Sequence, residues 1–178
     1  MAEESVGDLG VTWVSSDVAA DGTYIVTVSI GDRARTLDRD GVLAYVLSLV
    51  RTASAAAHDS AVINLFTARL GLPKETAATF VALELRPDRP EPDDEATYPL
   101  RFRPGVGERG PFLHLYLDGR DEPIGQWDPA DAHGHARHVL EALATADLDA
   151  ALLRHLRGIA QVSEDSARAM IADLANYR

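Results

Sequence analysis

The sequence predicts an α+β protein made of two copies of one module, each with three short antiparallel strands followed by three helices. Three observations support this prediction. β-Branched and aromatic runs recur between turn signals, apolar residues follow them at helical spacing, and the whole order occurs twice. The first module covers residues 11–85 and the second residues 98–178, after a flexible N-terminus at residues 1–10.

The strands of the first module are recognised by composition and by turns. Residues 11–14 (VTWV) and 23–30 (TYIVTVSI) are rich in β-branched and aromatic residues, and the turn signal Asp21-Gly22 lies between them. A second glycine turn leads into a short third strand over residues 34–37. This pattern predicts a three-stranded antiparallel sheet.

A helix is predicted directly after the third strand. Asp38 is placed to cap it, because its carboxylate can accept hydrogen bonds from the free amide groups of the first turn. Apolar residues then recur at spacings of three and four. The polar triplet His58-Asp59-Ser60 predicts that this helix breaks there and that a new helix is capped.

Two further helices complete the first module. The second helix covers residues 61–70 and stops at Gly71, and Pro73 suits the first turn of a third helix that runs to about Leu85. The end of this helix, from Phe80, is a short apolar run, so a strand is an open alternative there. The following residues 86–97 hold three prolines and many charges, which predicts an extended linker.

The second module repeats the order of the first. Residues 11–33 align with residues 99–121 without a gap, and residues 34–84 align with residues 124–174 after an insertion of two residues. Turns, helix caps and apolar faces coincide in this alignment. The repeat therefore predicts two halves with pseudo-two-fold symmetry, packed as one globular domain that is either a monomer or a homodimer.

The composition restricts the partners and the compartment. The net charge is −11 and Lys74 is the one lysine, so the chain lacks the clustered positive charge that grips nucleic acid, and nucleic acid is a disfavoured partner. The absence of cysteine removes disulfides and fits a reducing compartment. Neither a signal peptide nor a membrane-spanning run is present, so we expect a cytoplasmic protein without membrane contact.

The densest polar cluster of the second module predicts a metal site as one alternative. Asp131, His135 and His138 have the spacing i, i+4 and i+7, which places a carboxylate and two imidazoles on one helix face. Such a set can bind a divalent transition metal or support hydrolysis. The competing interpretation is that these histidines face solvent or cap the helix, in which case no cofactor is expected.

A helix-turn-helix segment is the second alternative. Residues 61–85 contain a helix, a turn with glycine and a second helix, and they resemble the helix-turn-helix pattern of bacterial regulators. The resemblance implies a DNA-binding regulator with Ala77 and Phe80 directed inward. The second helix offers only Lys74 to phosphate, and a helix pair that serves the core explains the same residues.

Three residues of the second module are candidates for binding. Trp127 directly precedes the predicted cap Asp128, where it either fills the core or stacks on a ligand. Arg101 and Arg103 alternate with apolar residues along one strand, so they share a face and can bind an acidic partner or ligand. Charges that keep an edge strand from aggregating are an equal explanation for this pair.

The expected function is that of a non-catalytic interaction module. No catalytic triad, carboxylate pair or nucleotide-binding loop stands out from the sequence. We therefore expect a cytoplasmic protein that binds another protein or a small ligand, with the metal protein or hydrolase and the DNA-binding regulator as alternatives. The sequence does not identify the partner.

Overall fold

The computed structural model describes residues 12–19 and 21–174, which form two three-stranded antiparallel sheets and five α-helices. The predicted α+β class is therefore confirmed. The predicted flexible N-terminus at residues 1–10 lies outside the described residues, as do residues 175–178 of the second predicted module.

The first sheet contains strands β1 (Thr12–Val18), β2 (Tyr24–Ile30) and β3 (Arg33–Leu37), in that order. All three predicted strands are present, and β1 extends beyond the predicted VTWV segment. Exposed and less exposed residues alternate along the whole of β1, as expected for a strand with one face toward solvent, and all seven residues pair with β2. Val26 and Val28 of β2 are fully buried on the opposite face.

Helix α1 (Arg39–Leu70) follows β3 as one continuous helix of 32 residues. Its predicted cap is confirmed, because the amide of Gly41 donates to Oδ1 of Asp38 at 2.8 Å. The predicted break at the triplet around Asp59 is wrong. Asp59 is buried in the middle of the helix, where its carboxylate pairs with arginines of a later segment instead of capping a new helix.

Helix α2 (Lys74–Phe80) begins after the turn at Gly71 and continues as a π-helical turn, Val81–Leu85. The structure thus decides between the helix and strand alternatives for this run in favour of helix. Part of the predicted extended linker is also helical, since α3 (Asp94–Thr97) forms one turn. Its cap is Asp93, whose Oδ1 accepts from the amide of Ala96 at 2.9 Å.

The second sheet contains β4 (Leu100–Gly107), β5 (Gly110–Leu117) and β6 (Gly125–Trp127), in that order. The hairpin between β4 and β5 is tight, because the pairing of the two strands continues to Gly107 and Gly110. Buried side chains alternate with exposed or half-buried ones along this sheet. The buried side chains are those of Leu100, Phe102, Leu113 and Leu115.

Helices α4 (Pro129–Gly158) and α5 (Glu164–Leu174) follow the second sheet. Oδ1 of Asp128 accepts from the amide of Asp131 at 2.8 Å, which confirms the predicted cap. Since α4 is also continuous, the strands of each predicted module are followed by one long helix and a shorter one, and the prediction of three helices per module is corrected. No helix in the described part of the chain has the length and apolar character needed to span a membrane.

The described residues form two compact units. The first unit is Ala44–Arg137, which groups the second sheet with most of α1 and with α2. The second unit groups Thr12–Leu43, which includes the first sheet, with the residues from His138 onward. In the second unit Val18 forms a buried cluster with Ala150, Leu153 and Ala167.

A second buried cluster lies in the first unit. Ile63, Ala77 and Val81 are buried together, and Val106 of β4 packs against them. Each sheet therefore packs against helices that come from the other half of the sequence. Local strand and helix signals could be found by sequence reasoning, whereas this pairing depends on contacts between distant residues.

We predict that Gly105 of β4 is required by its cross-strand neighbour Phe112. A Cβ atom at Gly105 would lie 2.5 Å from Cζ of Phe112, so the ring would have to move. The Gly105→Ala variant should lower the free energy of unfolding by about 1–2 kcal/mol, measured by urea denaturation.

Gly134 provides the matched control for this substitution. It lies in α4, and a Cβ there meets nothing within 4 Å. The Gly134→Ala variant should raise the free energy of unfolding by about 0.5–1 kcal/mol, because alanine is the better helix former. Equal effects of the two substitutions would contradict the predicted crowding at Phe112.

Candidate functional site

A cavity of about 660 Å³ lies in the first unit and is lined by α1, by residues 86–93 and by the middle of β4. We call it the α1 cavity. Its volume falls within the range of about 300–1,000 Å³ that is typical of small-molecule sites. The helix contributes one face to it, with the lining residues Ala44, Leu47, Ser48, Arg51, Thr52 and Ala55.

Residues 86–93 form the second wall of the α1 cavity. Pro90 and Pro92 favour an extended backbone and lack amide protons, so this stretch needs few backbone partners of its own. The hydroxyl of Ser48 on α1 donates to the carbonyl oxygen of Asp93 at 3.3 Å. This hydrogen bond and the cap at Asp93 fix the end of the wall next to α1.

A buried carboxylate fixes the beginning of the same wall. Asp59 of α1 is fully buried, and its Oδ2 accepts from Nε of Arg86 at 2.9 Å while its Oδ1 pairs with Arg89. The side chains of Arg86 and Arg89 retain 34% and 27% of their exposure. Both guanidinium groups are thus held at the lining of the cavity by one carboxylate.

The predicted binding residues Arg101 and Arg103 have different environments. Arg103 lines the α1 cavity and forms two hydrogen bonds of 2.6 Å with the carboxylate of Asp94. The hydrogen bonds to Asp94 raise the pKa of Arg103 above its ordinary value. Arg101 is not among the lining residues, and its NH2 group donates to the carbonyl oxygen of Arg120 at 2.5 Å while its guanidinium lies over the ring of Tyr116.

The third predicted binding residue, Trp127, packs inside the first unit. Its ring centroid lies 5.7 Å from that of Phe102 and 5.0 Å from that of His135. Trp127 is half-buried and is not among the residues that line the α1 cavity. These contacts favour the interpretation that Trp127 fills the core.

The predicted metal ligands are not brought together. His135 is buried, and its Nε2 shares a hydrogen bond of 2.9 Å with the hydroxyl of Tyr45, whereas Asp131 and His138 are exposed. Among residues 12–19 and 21–174 no group of three His, Asp or Glu side chains is placed to hold a metal ion. The shared helix face exists, but His135 at its centre is turned into the core.

The helix-turn-helix segment contributes to the core of the first unit. Ala77 is fully buried, as the resemblance implied, whereas Phe80 keeps 42% of its exposure and contacts Phe66 edge to face. Nζ of Lys74, the one lysine of the chain, donates to the carbonyl oxygen of Gly107 at 3.2 Å. These contacts fit a helix pair that stabilises the fold.

Sequence reasoning missed the residues that build the α1 cavity. The prolines and charges of residues 86–93 predict an extended linker, and this interpretation gives Arg86 and Arg89 no role. One signal was available, because Asp59 lies on the helical stripe that continues through the buried residues Ala56 and Ile63. A charged residue in an apolar stripe indicates a buried partner of opposite charge.

Comparison of the chain with models of protein families, with curated proteins and with solved structures finds no match in any of the three. The α1 cavity and the side chains around it are therefore the basis for inferring function.

We predict that Asp59 stabilises the fold and the cavity wall together. The Asp59→Asn variant leaves Arg86 and Arg89 without their carboxylate and should lower the free energy of unfolding by about 2–3 kcal/mol. This value is below the range for fully buried pairs, because both arginines reach solvent. Asp32→Asn, at an exposed turn, is the control, and a loss no larger than that of the control would contradict the prediction.

We predict a dependence of stability on alkaline pH that comes from Tyr45. Burial raises the pKa of Tyr45 well above its ordinary value of 10.0, so the folded chain keeps this proton where the unfolded chain loses it. The free energy of unfolding should therefore fall above about pH 10, by up to about 1.4 kcal/mol per pH unit.

The Tyr45→Phe variant isolates this contribution. At about pH 8 it should be less stable than the unmodified chain by about 1–3 kcal/mol, because the buried hydrogen bond between the Tyr45 hydroxyl and Nε2 of His135 is lost. By about pH 11 the difference should shrink by about 1.4 kcal/mol, since the variant has no hydroxyl to deprotonate. Parallel stability profiles over this interval would show that burial of Tyr45 does not perturb its titration.

Proposed function

We propose that the protein is a non-catalytic, cytoplasmic binding protein whose small ligand occupies the α1 cavity. The observation that carries this proposal is a cavity of about 660 Å³ that combines apolar walls with guanidinium groups held in place by buried or half-buried carboxylates. A mainly apolar pocket with a few fixed polar groups is the usual form of a ligand site. The absence of cysteine supports a reducing compartment.

The chemistry of the lining supports binding over catalysis. Its polar side chains are arginines, two hydroxyl groups and the carboxylates of Glu91 and Asp93, and the Asp93 carboxylate is engaged as a helix cap. Tyr45 and His135, the residues with the chemistry of an acid and a base, are buried against each other and do not line the cavity.

We also propose that the chain arose by duplication and retains pseudo-two-fold symmetry. Tyr45 and His135 occupy the same position in the two modules, and they are hydrogen bonded to each other. Such contact is expected at a position on a two-fold axis. The caps Asp38 and Asp128 are also equivalent, and each accepts from the amide three residues on at 2.8 Å.

The buried clusters of the two units support the same proposal. Val18 aligns with Val106, Leu153 with Ile63, and Ala167 with Ala77. The first member of each pair belongs to one cluster and the second member to the other. Each cluster thus combines a strand residue of one module with helix residues of the other, as in dimers that exchange an element.

The α1 side of the cavity lining is not preserved between the two modules. In the alignment Arg51 corresponds to Glu141 and Leu47 to Arg137, so the charge and the apolar character of the lining are not preserved in the second module. The proposed duplication therefore supplied the scaffold, and later divergence supplied the site.

The proposed function predicts that a neutral apolar probe binds in the α1 cavity. N-Phenyl-1-naphthylamine, which fluoresces in apolar surroundings, should bind saturably at one site per chain. The Ala55→Trp variant, which fills the cavity from a half-buried lining position, should abolish this binding. Ala57→Trp makes the same substitution at an exposed position of α1 outside the lining, and this variant should bind the probe as the unmodified chain does.

Circular dichroism shows whether both variants remain folded. If the probe does not bind saturably, or if folded Ala55→Trp protein binds it as well as Ala57→Trp protein does, the α1 cavity is not a ligand site.

A further inference from the structure

We propose that the ligand of the α1 cavity is an anionic amphiphile, a small molecule with one carboxylate or phosphate group on an apolar body, and that Arg51 binds its anionic group. This inference rests on the proposed function. It specifies the class of ligand and the residue that selects it.

The first argument is the state of the four arginines that line the cavity. Arg103 is matched by one carboxylate, that of Asp94. Arg86 and Arg89 share the single carboxylate of Asp59, so two positive charges meet one negative charge there. Arg51 is exposed and forms no ion pair with the described residues.

The second argument is the hydrogen-bonding capacity that remains after these pairs have formed. Asp59 accepts from Nε of Arg86, which leaves both terminal amino groups of this guanidinium outside that bond. The pKa of His114 is lowered mainly by burial and, to a smaller extent, by the positive charge of Arg86. The charge of Arg86 is therefore felt by a neighbouring side chain. The lining thus offers fixed donors, the groups that bind carboxylates and phosphates most strongly.

The third argument limits the charge of the ligand. Glu91 lines the cavity and its charge contributes to the raised pKa of Arg103, while the carboxylate of Asp93 is bound by the amide of Ala96. Together with the carboxylates of Asp59 and Asp94 they balance the four guanidinium charges, so the anionic group is bound by the locally unpaired guanidinium of Arg51 and not by a net positive charge. A ligand with a single anionic group therefore fits better than a polyanion such as nucleic acid or a nucleoside triphosphate.

The fourth argument concerns the apolar body. The lining positions on α1 extend from Ala44 to Ala55, which corresponds to about 16 Å along a helix. Ala44, Leu47 and Ala55 supply apolar contacts along this face, and three prolines do so on the other walls. An elongated apolar body buries its surface between these walls while its anionic group reaches Arg51.

The test compares two probes that differ by one anionic group. 8-Anilinonaphthalene-1-sulfonate is N-phenyl-1-naphthylamine with an added sulfonate. Fluorescence titration with each probe therefore measures how much the negative charge contributes to affinity. The Arg51→Gln variant should bind the sulfonate probe about tenfold more weakly and the neutral probe within about twofold of the unmodified chain. Arg69→Gln, an exposed arginine at the end of α1, makes the same charge change outside the lining and should affect neither probe.

Competition then identifies which part of the ligand is needed. Octanoate should displace the sulfonate probe, whereas 1-octanol and inorganic phosphate should each do so much less effectively. Displacement by inorganic phosphate as effective as that by octanoate would refute the requirement for an apolar body.

The outcomes separate this inference from the proposed function. If both probes are lost in the Ala55→Trp variant but neither depends on Arg51, the cavity binds ligands without selecting anions, and the inference is wrong while the proposed function stands. If Arg69→Gln weakens binding of the sulfonate probe as much as Arg51→Gln does, the loss comes from the change in overall charge, and the specific role of Arg51 is refuted. If binding of neither probe responds to Ala55→Trp, the proposed function itself fails.

Discussion

The buried carboxylate of Asp59 is the interaction on which the α1 cavity depends. Removing a carboxylate from water is costly, and this cost is offset only because two guanidinium groups bind it. The pairing explains why α1 continues through a polar triplet that suggests a break. It also explains why a segment rich in proline and charge keeps a defined position beside α1, since its first residues are fixed by ion pairs and its last by Ser48 and the cap at Asp93.

Local features of the fold were predictable from the sequence because their causes are local. The strands follow from runs of β-branched residues, and the caps Asp38 and Asp128 lie where their carboxylates can reach free amides. The cavity was not predictable in this way. It requires Asp59 and Arg86 to meet across 27 positions of the sequence. The place of Asp59 in an apolar helical stripe indicates a buried partner of opposite charge, but it does not say which arginine that partner is.

The histidines of α4 show a second limit of sequence reasoning. Helical spacing states which residues share a face, but it does not state what lies opposite that face. Tyr45 lies opposite His135, and a buried hydrogen bond joins its hydroxyl to the imidazole. Asp131 and His138, the predicted partners of His135 in a metal site, are exposed at the surface. A helix face of three polar residues can therefore be divided between core and solvent by a single large neighbour.

The exchange of partners between sheets and helices has a consequence for synthesis on the ribosome. Val18 is made early, but the residues with which it forms its buried cluster, Ala150 to Ala167, are made only after strands β2–β6. At translation rates of about 5–20 residues per second, the first sheet waits on the order of ten seconds for the helices that cover this end of it. The apolar surface around Val18 is accessible to chaperones and to other nascent chains during that interval, so a topology that pairs an early strand with late helices delays the completion of this buried cluster.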